Sequence, residues 1–429
     1  MVLSQDSINY IAHSSSLMSE NSLILSRSNL STVSFALGFR FGAVDEPISG
    51  ISEVLTSHMF RNTANRDENS LALHLDKYGL VTFSNVTKTG LWLGMNCPPQ
   101  NLDVALSTFD EILFHPEFKE ETTNKIVQQQ KGGLAQLDQM PQIRLFQRTR
   151  WEAAFGDSKI SRNTSGTAEG LDLVTPEELN KVYDELKKYS HEFVAVGINI
   201  DDTDFEQSIS KFDELGRRRS NVELLNNDVK DLNKQVDKMS ATTKNAYLGI
   251  NLRSQGYGAS KYEDTVYQNV LSGGFSARFF TQIRDDRNLS YSVFALNSKF
   301  HDFGLITSGM DVLPERAAEG RDLVLQIMKE VLTEEIPQEE MSRALKAAQR
   351  TALFVSDSSQ SYVQWLVGRR LNEQETDLDT VNKEIQAASE LDWQEKMLSY
   401  WKPENFSLGI AGEPGEAAEN WEEAVEKVL

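Results

Sequence analysis

Two periodicities alternate along the chain and predict its secondary structure. Residues 22–42 show the alternation of apolar with small or polar positions that is typical of β-strands, most clearly from Val33 to Phe41. Residues 50–63 differ, because apolar side chains recur there at the spacing of an amphipathic helix entered from a glycine turn. These apolar positions are Ile51, Val54, Leu55, Met59 and Phe60. We therefore expect strands followed by a buried helix.

The same two patterns continue through the first half of the chain. A second helix is predicted over residues 70–78, and residues 175–178 have the composition of a capping box at the start of another helix. The remaining predicted elements are strands at 81–84 and 89–96, a helix at 101–114, further helices between 120 and 154, and a strand at 192–200.

This order of elements recurs in the second half, beginning with a predicted strand at 246–252 and a helix at 262–271. The stretch around Met310 resembles the stretch around Met95, which lies 215 residues earlier. The stretch around Phe406 likewise resembles that around Phe193, at a distance of 213 residues. A repeat of this length indicates an internal duplication.

The duplication predicts an α+β fold with two homologous domains, each a mostly antiparallel sheet with helices packed on one face. We place the first domain at residues 1–212 and the second at residues 241–429. Residues 213–240 are polar and charged, with few large apolar side chains, so they are predicted to form a charged linker.

Charge and composition narrow the possible partners. The chain of 429 residues carries 43 Lys and Arg against 64 Asp and Glu, a net charge of −21 that argues against nucleic acid or an anionic membrane as a partner. It favours basic peptides or proteins, or reflects solubility alone. One cysteine, Cys97, excludes internal disulfides and cysteine zinc sites, and we expect it to be buried.

The sequence also predicts the compartment. No apolar run approaches the roughly 18 residues of a membrane span, and the first ten residues contain neither a secretory signal nor a mitochondrial presequence. We expect a cytoplasmic protein without a membrane segment. The alternative is a mitochondrial matrix protein whose presequence has been removed.

The order Gly-x4-Leu-x4-Phe-x2-Thr in residues 50–63 resembles the active-site helix of the pitrilysin/insulinase family of zinc peptidases. That family carries His-x-x-Glu-His there, because two histidines on one helical face bind zinc and the glutamate accepts the proton of the metal-bound water. The corresponding positions here are Glu53, Thr56 and Ser57. The resemblance therefore implies a degenerate metal helix, with no metal bound by this chain.

Three further observations support the loss of the metal site and of the substrate-binding strand. The third ligand of the family is a glutamate some 70 to 80 residues further on, yet no glutamate occurs between Glu121 and Glu152. Glu53 and His58 cannot form a substitute zinc site, because positions i and i+5 lie about 140° apart on a helix and cannot share one metal. The strand region at 78–85 also lacks the Asn-Ala and Thr-x-Tyr residues with which the family positions extended peptide.

A second signature of the family is present. Residues 272–293 contain Gly273-Gly274, then Ser-x-Arg, and then Arg284 and Tyr291 seven positions apart. The resemblance implies that Arg284 and Tyr291 are catalytic in trans: the tyrosine donates to the developing oxyanion and the arginine holds a substrate carbonyl. With Gly273 and Gly274 they would bind substrate. On spacing alone, an Arg/Tyr pair of this kind is more often a pair of ordinary surface or packing residues, and a Ser-Gly-Gly sequence is as often only a flexible turn.

The resemblance leads to one main hypothesis. The chain is interpreted as a non-catalytic subunit of a heterodimeric pitrilysin-like metallopeptidase, not a peptidase by itself, that contributes Arg284, Tyr291 and half of the peptide chamber. A zinc-bearing homologous subunit would be the partner, a peptide the substrate, and this chain would hold no cofactor. The alternatives are a structural core subunit resembling those of the respiratory cytochrome bc complex, and a peptide-binding homodimer without catalysis.

Overall fold

The computed structural model describes residues 13–16, 21–218, 234–237, 244–258 and 262–429. The prediction that the chain has no targeting signal concerns residues 1–10, and these lie outside the described residues. So do 219–233 and 238–240 of the predicted linker.

The first half contains the predicted strands and helices, together with short elements at 13–16, 168–171 and 206–212 that the sequence did not predict. In chain order they are β1 (His13–Ser16), β2 (Ser22–Ser26), β3 (Val33–Phe39), α1 (Ile51–Met59), α2 (Glu68–Tyr78), β4 (Val81–Val86), β5 (Leu91–Cys97), α3 (Leu102–Phe114), α4 (Glu120–Leu137), α5 (Pro141–Arg144), a π-helical segment (Leu145–Thr149), α6 (Arg150–Phe155), α7 (Ala168–Leu171), α8 (Pro176–Leu186), β6 (His191–Gly197) and α9 (Glu206–Phe212).

The second half repeats this sequence of elements. They are β7 (Lys234–Asp237), β8 (Ala246–Gln255), α10 (Glu263–Ser272), a second π-helical segment (Phe279–Asp285), β9 (Val293–Lys299), β10 (Phe303–Val312), α11 (Ala317–Thr333), α12 (Gln338–Val355), α13 (Ser359–Leu371), α14 (Leu378–Glu390), α15 (Trp393–Leu398), β11 (Phe406–Gly412) and α16 (Trp421–Glu426).

The strand orders of the two sheets show the duplication directly. The first sheet has the order β1-β2-β6-β3-β5-β4 and the second β7-β11-β8-β10-β9. In each, one strand near the edge is parallel to its neighbour, β2 to β6 and β7 to β11, and the other pairs are antiparallel. The predicted α+β fold with two homologous domains is confirmed. Strand β7 lies inside the segment whose composition predicts a linker, since a four-residue edge strand leaves too little pattern to recognise.

Side chains along β3 point alternately to the two faces of the first sheet. Phe35 and Leu37 face the helices of their own half, and the Phe35 ring meets Phe109 of α3 edge-on at 5.3 Å between centroids. Ala36 belongs to a separate apolar cluster on the opposite face. The predicted packing of helices on one face is present, and the second face is covered as well.

That second face is covered by a helix from the other half. Helix α13 packs on β3 and β6, and Gly38 permits the close approach, because a Cβ there would lie 2.6 Å from Val367 Cγ2. This exchange of helices between the halves is reciprocal, because α6 of the first half packs on β8 and β11 of the second. A Cβ at Gly409 of β11 would lie 3.2 Å from the Arg150 backbone of α6. Each half therefore completes the core of the other.

Candidate functional site

Helix α1, which carries the degenerate motif, begins at a buried acidic cap. Gly50 adopts a left-handed conformation with φ of 86°, and as a glycine it has no side chain that could cap the helix. The Glu46 carboxylate instead accepts from the amides of Gly50 at 2.8 Å and Ser52 at 3.1 Å. Burial raises the pKa of Glu46 to about 7. The helix is thus fixed by a carboxylate that the sequence pattern did not identify.

Two of the three motif positions make local hydrogen bonds. Glu53 is half-buried, its Oε1 accepts from Ser165 Oγ at 3.4 Å, and burial raises the pKa of its carboxyl group. The buried Thr56 hydroxyl donates to the carbonyl oxygen of Glu53 at 3.2 Å, within its own helix. Ser57 is half-buried on the next position.

Helix α4 packs against α1 where the resemblance implies a third ligand. The Gln130 amide donates to the Ser165 carbonyl at 2.8 Å and to the Gly50 carbonyl at 3.4 Å, so it joins the two segments through neutral hydrogen bonds. His58 is buried in a different setting, with Nε2 at 3.2 Å from the Lys119 carbonyl oxygen and its ring edge-on to Phe118. Burial lowers the pKa of His58.

These residues do not fit zinc. Structural and catalytic zinc sites use imidazole, thiolate and carboxylate ligands, whereas the three motif positions and Gln130 together offer two neutral hydroxyls, one amide and the single carboxylate of Glu53. Among the residues that the structure describes, no group of three or more His, Cys, Asp or Glu side chains is placed to hold a metal ion.

The second signature forms a turn that closes on edge strand β9. Gly273 follows α10, and a Cβ there would lie 2.5 Å from the Asn269 carbonyl oxygen, whereas a Cβ at Gly274 would meet nothing within 4 Å. The Ser272 hydroxyl receives a hydrogen bond from the Ala295 amide at 2.9 Å and lies 3.2 Å from the Ala295 carbonyl oxygen. The glycine turn is therefore anchored to the sheet at one end and open at Gly274.

Arg278, the arginine of Ser-x-Arg, is structural. Its guanidinium donates to the two Glu340 carboxylate oxygens of α12 at 2.8 and 3.4 Å, and a second carboxylate, Glu334, lies at 3.5 Å. This bidentate pair connects the turn to α12.

Arg284 and Tyr291 are brought together. The Arg284 guanidinium lies between two rings, 4.3 Å from the centroid of Phe280 and 4.1 Å from that of Tyr291. The Tyr291 side chain is 76% exposed, and Phe275, 81% exposed, packs edge-on against Phe280. In the part of the chain that the structure describes, neither the Tyr291 hydroxyl nor the Arg284 guanidinium has a hydrogen-bond or carboxylate partner.

Hydrogen bonds to Asp311 fix the backbone on both sides of Tyr291. Asp311 Oδ1 accepts from Ser290 Oγ at 2.7 Å and from the Ser292 amide at 3.1 Å, on either side of Tyr291. Across the described residues, no hydrogen bond or ring contact joins this group to Glu53, Thr56 or Ser57. The packing of Phe280 against Arg284 and of Phe275 against Phe280 was not identified from the sequence. Two large apolar side chains beside a glycine turn were a visible signal for these contacts.

Comparisons with known proteins assign the family. The model described as Insulinase (Peptidase family M16) matches residues 23–168, and that described as Peptidase M16 inactive domain matches residues 173–348. The chain belongs to the insulinase-like M16 peptidase family. The predicted resemblance is confirmed, and together with the unsuitable donor set the matches fit a non-catalytic member.

Curated M16 relatives are distant. An uncharacterized zinc protease of Bacillus subtilis is 22% identical over 61% of this chain and 63% of its own length. A second, from Mycobacterium tuberculosis, is 24% identical over 44% of each chain. The chain thus matches less than two thirds of the length of these relatives.

Solved M16-like structures share the fold over almost the whole chain. A peptidase M16 inactive domain from Pseudomonas fluorescens has a TM-score of 0.77 at 17% identity, covering 91% of this chain and 95% of its own. A chain of complex III2 from Candida albicans has a TM-score of 0.74 at 14% identity, covering 95% and 98%. Within the described residues, no helix is both long and apolar enough to cross a membrane.

Proposed function

We propose that this M16 chain is the non-catalytic subunit of a heterodimeric peptidase, in which a homologous subunit carries zinc and this chain contributes Arg284 and Tyr291. The observation that carries the proposal is the exposed Tyr291 phenol, held against Arg284 and engaged by no other described residue. A tyrosine that served packing alone would be expected to bury its ring.

The geometry supports a role in stabilising negative charge. The Tyr291 hydroxyl can donate to an oxygen that becomes an oxyanion during attack on a peptide carbonyl. The two rings that flank Arg284 fix its guanidinium plane, which leaves its N–H groups available for a substrate backbone carbonyl. The partner subunit would supply zinc and the general base, which α1 of this chain lacks.

A reconstituted pair tests the proposal. This chain is combined with a homologous subunit from the same genome that carries His-x-x-Glu-His, and peptide cleavage is followed at steady state. Tyr291→Phe should lower kcat by about 10²-fold to 10³-fold, because one transition-state hydrogen bond is lost. KM should change little, since this bond forms mainly in the transition state. Arg284→Ala should change both constants.

Tyr78→Phe is the matched control, because it removes the same hydroxyl from a half-buried tyrosine on α2. It should leave kcat unchanged. An unchanged kcat in Tyr291→Phe, or a loss explained entirely by unfolding in a thermal melt, would contradict the proposal.

A second candidate function is a structural subunit without peptidase activity. It is favoured by the similarity to a chain of complex III2, which extends over 95% of this chain. In that case the chain would assemble with a homologous subunit, the pair would cleave no peptide, and substitution of Tyr291 or Arg284 would leave assembly intact.

A further inference from the structure

A cavity lies between the glycine turn and α12, and neither Arg284 nor Tyr291 is among its lining residues. Its volume is about 260 Å³. Pockets for whole drug-sized ligands usually exceed about 300 Å³, so this volume suits a single residue of a peptide. We call it the α12 pocket, and the residues used below are Gly274, Ser276, Ala277, Arg343, Lys346 and Arg350.

Three cations on α12 line one wall. Arg343, Lys346 and Arg350 are spaced by three and four residues, so they lie on one face of the helix. Arg343 pairs with Glu339 at 2.8 Å in an exposed contact. Lys346 and Arg350 have no carboxylate partner among the described residues. A chain of net charge −21 thus concentrates uncompensated positive charge at this pocket.

The acidic residue of the pocket does not cancel this charge. Glu340 lines the wall, yet both of its carboxylate oxygens accept from the Arg278 guanidinium, at 2.8 and 3.4 Å. Its negative charge is therefore matched by Arg278, and Lys346 and Arg350 remain available to a ligand.

The opposite wall offers backbone donors. The Ala277 amide donates to the Gly274 carbonyl at 3.0 Å and closes the turn. The amides of Gly274, Phe275 and Ser276 have no acceptor within the part of the chain that the structure describes. Successive free amides in a turn form a concavity that attracts anions. Ala344 and Ala347 keep the space between the two walls open.

We propose that the α12 pocket binds a carboxylate of a peptide, either the C-terminal carboxylate or an Asp or Glu side chain. Ammonium and guanidinium groups on one wall and amide donors on the other satisfy both oxygens of a carboxylate. The inference rests on the proposed function in that it names a recognition feature of the peptide, but the binding step requires only this chain. At this pocket the expected ligand group is acidic, whereas the net charge of the whole chain favours basic peptides.

Binding is measured on the full chain by fluorescence anisotropy with short Ala/Leu peptides labelled at the N-terminus. One has a free C-terminal carboxylate, the second a C-terminal amide, and the third a C-terminal amide after a final Asp. The first or third should bind about tenfold or more tightly than the second, which is the usual effect of one charge-assisted hydrogen bond. Which of the two binds identifies the source of the carboxylate. Raising the ionic strength should weaken that binding.

Two sets of variants locate the site. Lys346→Gln with Arg350→Gln should weaken binding of the carboxylate peptide about tenfold, whereas Lys402→Gln with Lys427→Gln, which removes equal charge outside the pocket, should not. Gly274→Asp should weaken binding more than Gly274→Asn, a variant of equal size without the charge, and a Cβ at Gly274 meets no atom within 4 Å.

Equal binding of the amide peptide, equal effects of the two double variants, or equal effects of Asp and Asn at Gly274 would each overturn the proposal. The readout requires neither zinc nor a partner subunit. A failure here is therefore distinguishable from a failure of the proposed function, which is measured by kcat of the reconstituted pair.

Discussion

At the residue scale, hydrogen bonds within the first half occupy the region of the degenerate motif. Thr56 donates within its helix, Gln130 bridges Gly50 and Ser165, and Glu53 accepts from Ser165. The sequence could show that the zinc ligands are absent, because ligand identity is read directly from residue type. It could not show which neutral contacts occupy their place, because these depend on how α4 and residues 163–166 meet α1.

These contacts predict that restoring the motif is insufficient. We expect Glu53→His, Thr56→Glu and Ser57→His together to produce no peptidase, since the α4 carboxylate is still absent and Gln130 still spans the site. Zinc content after dialysis and cleavage of an unstructured peptide are measured on this variant and on the wild-type chain, for which we expect no stoichiometric zinc. Cleavage by the triple variant alone, or one tightly bound zinc in the wild-type chain, would contradict this prediction.

Lys88 is a second residue whose behaviour follows from its surroundings. It is 7% exposed, its Nζ donates to the Arg162 carbonyl at 2.6 Å, and it lies 4.5 Å from the centroid of the Trp151 ring. Burial, and secondarily the charge of Arg150, lower the pKa of Lys88 to about 7. The unfolded chain therefore binds a proton at this lysine across a pH range in which the folded chain does not.

The sign of the effect follows. Between pH 7 and the unfolded pKa of about 10.4, the unfolded state binds more protons, so the Lys88 contribution to stability rises with pH. Lys88→Met should remove this dependence. The difference in unfolding free energy between wild type and variant should shift in favour of the wild type by about 1.4 kcal/mol per pH unit in this window. Urea unfolding at several pH values measures it, with the exposed Lys402→Met as control; parallel curves would contradict the prediction.

At the scale of elements, the sequence predicted the strands and helices but not the exchange between halves. The amphipathic pattern of α13 indicates that one face is buried, and it is the same whichever sheet that face contacts. The decisive features are long-range: Ala36 and Gly38 leave room on β3, and Val367 fills it. Phe35 and Leu37, by contrast, could be assigned to one core face from alternation alone.

The exchange predicts that a substitution in the second half destabilises the first sheet. Leu366 of α13 is fully buried against this sheet, so Leu366→Ala should cost about 2–5 kcal/mol of unfolding free energy. Hydrogen exchange should accelerate in β3 and β6, as well as in α13 itself. Leu391→Ala, at a residue 64% exposed, is the control and should change stability little. Protection lost only in the second half would show that α13 is not coupled to the first sheet.

At the scale of the whole molecule, the resemblance to a known family identified more of the candidate site than the periodicity of apolar residues did. The motifs located Arg284 and Tyr291, and the structure brings them into contact, because the π-helical segment and the turn held by Asp311 are adjacent. The free cations of α12 were not singled out, since charged residues on a helix are usually solvated and only the cavity beside them makes them notable.

The exchange of α6 and α13 has one consequence for the molecule as a whole. Separated at residues 219–233, each half would expose the apolar sheet face that the other half's helix covers, including Trp92 and Val194 on the first sheet and Phe303 and Leu305 on the second. Large exposed apolar patches lead to association or aggregation. We therefore expect neither half to fold as a stable monomer when expressed alone.

Co-expression should restore the fold, because the contacts between the halves do not require a continuous backbone. The two fragments should copurify in equal amounts, and the complex should melt in one cooperative transition, since each half contributes to the core of the other. Within this complex, Leu366→Ala in the second fragment should weaken copurification, whereas Leu391→Ala should not. A first fragment that is monomeric and shows a cooperative melt by itself would mean that its sheet is stable without α13, and that the exchanged helices connect two independent domains.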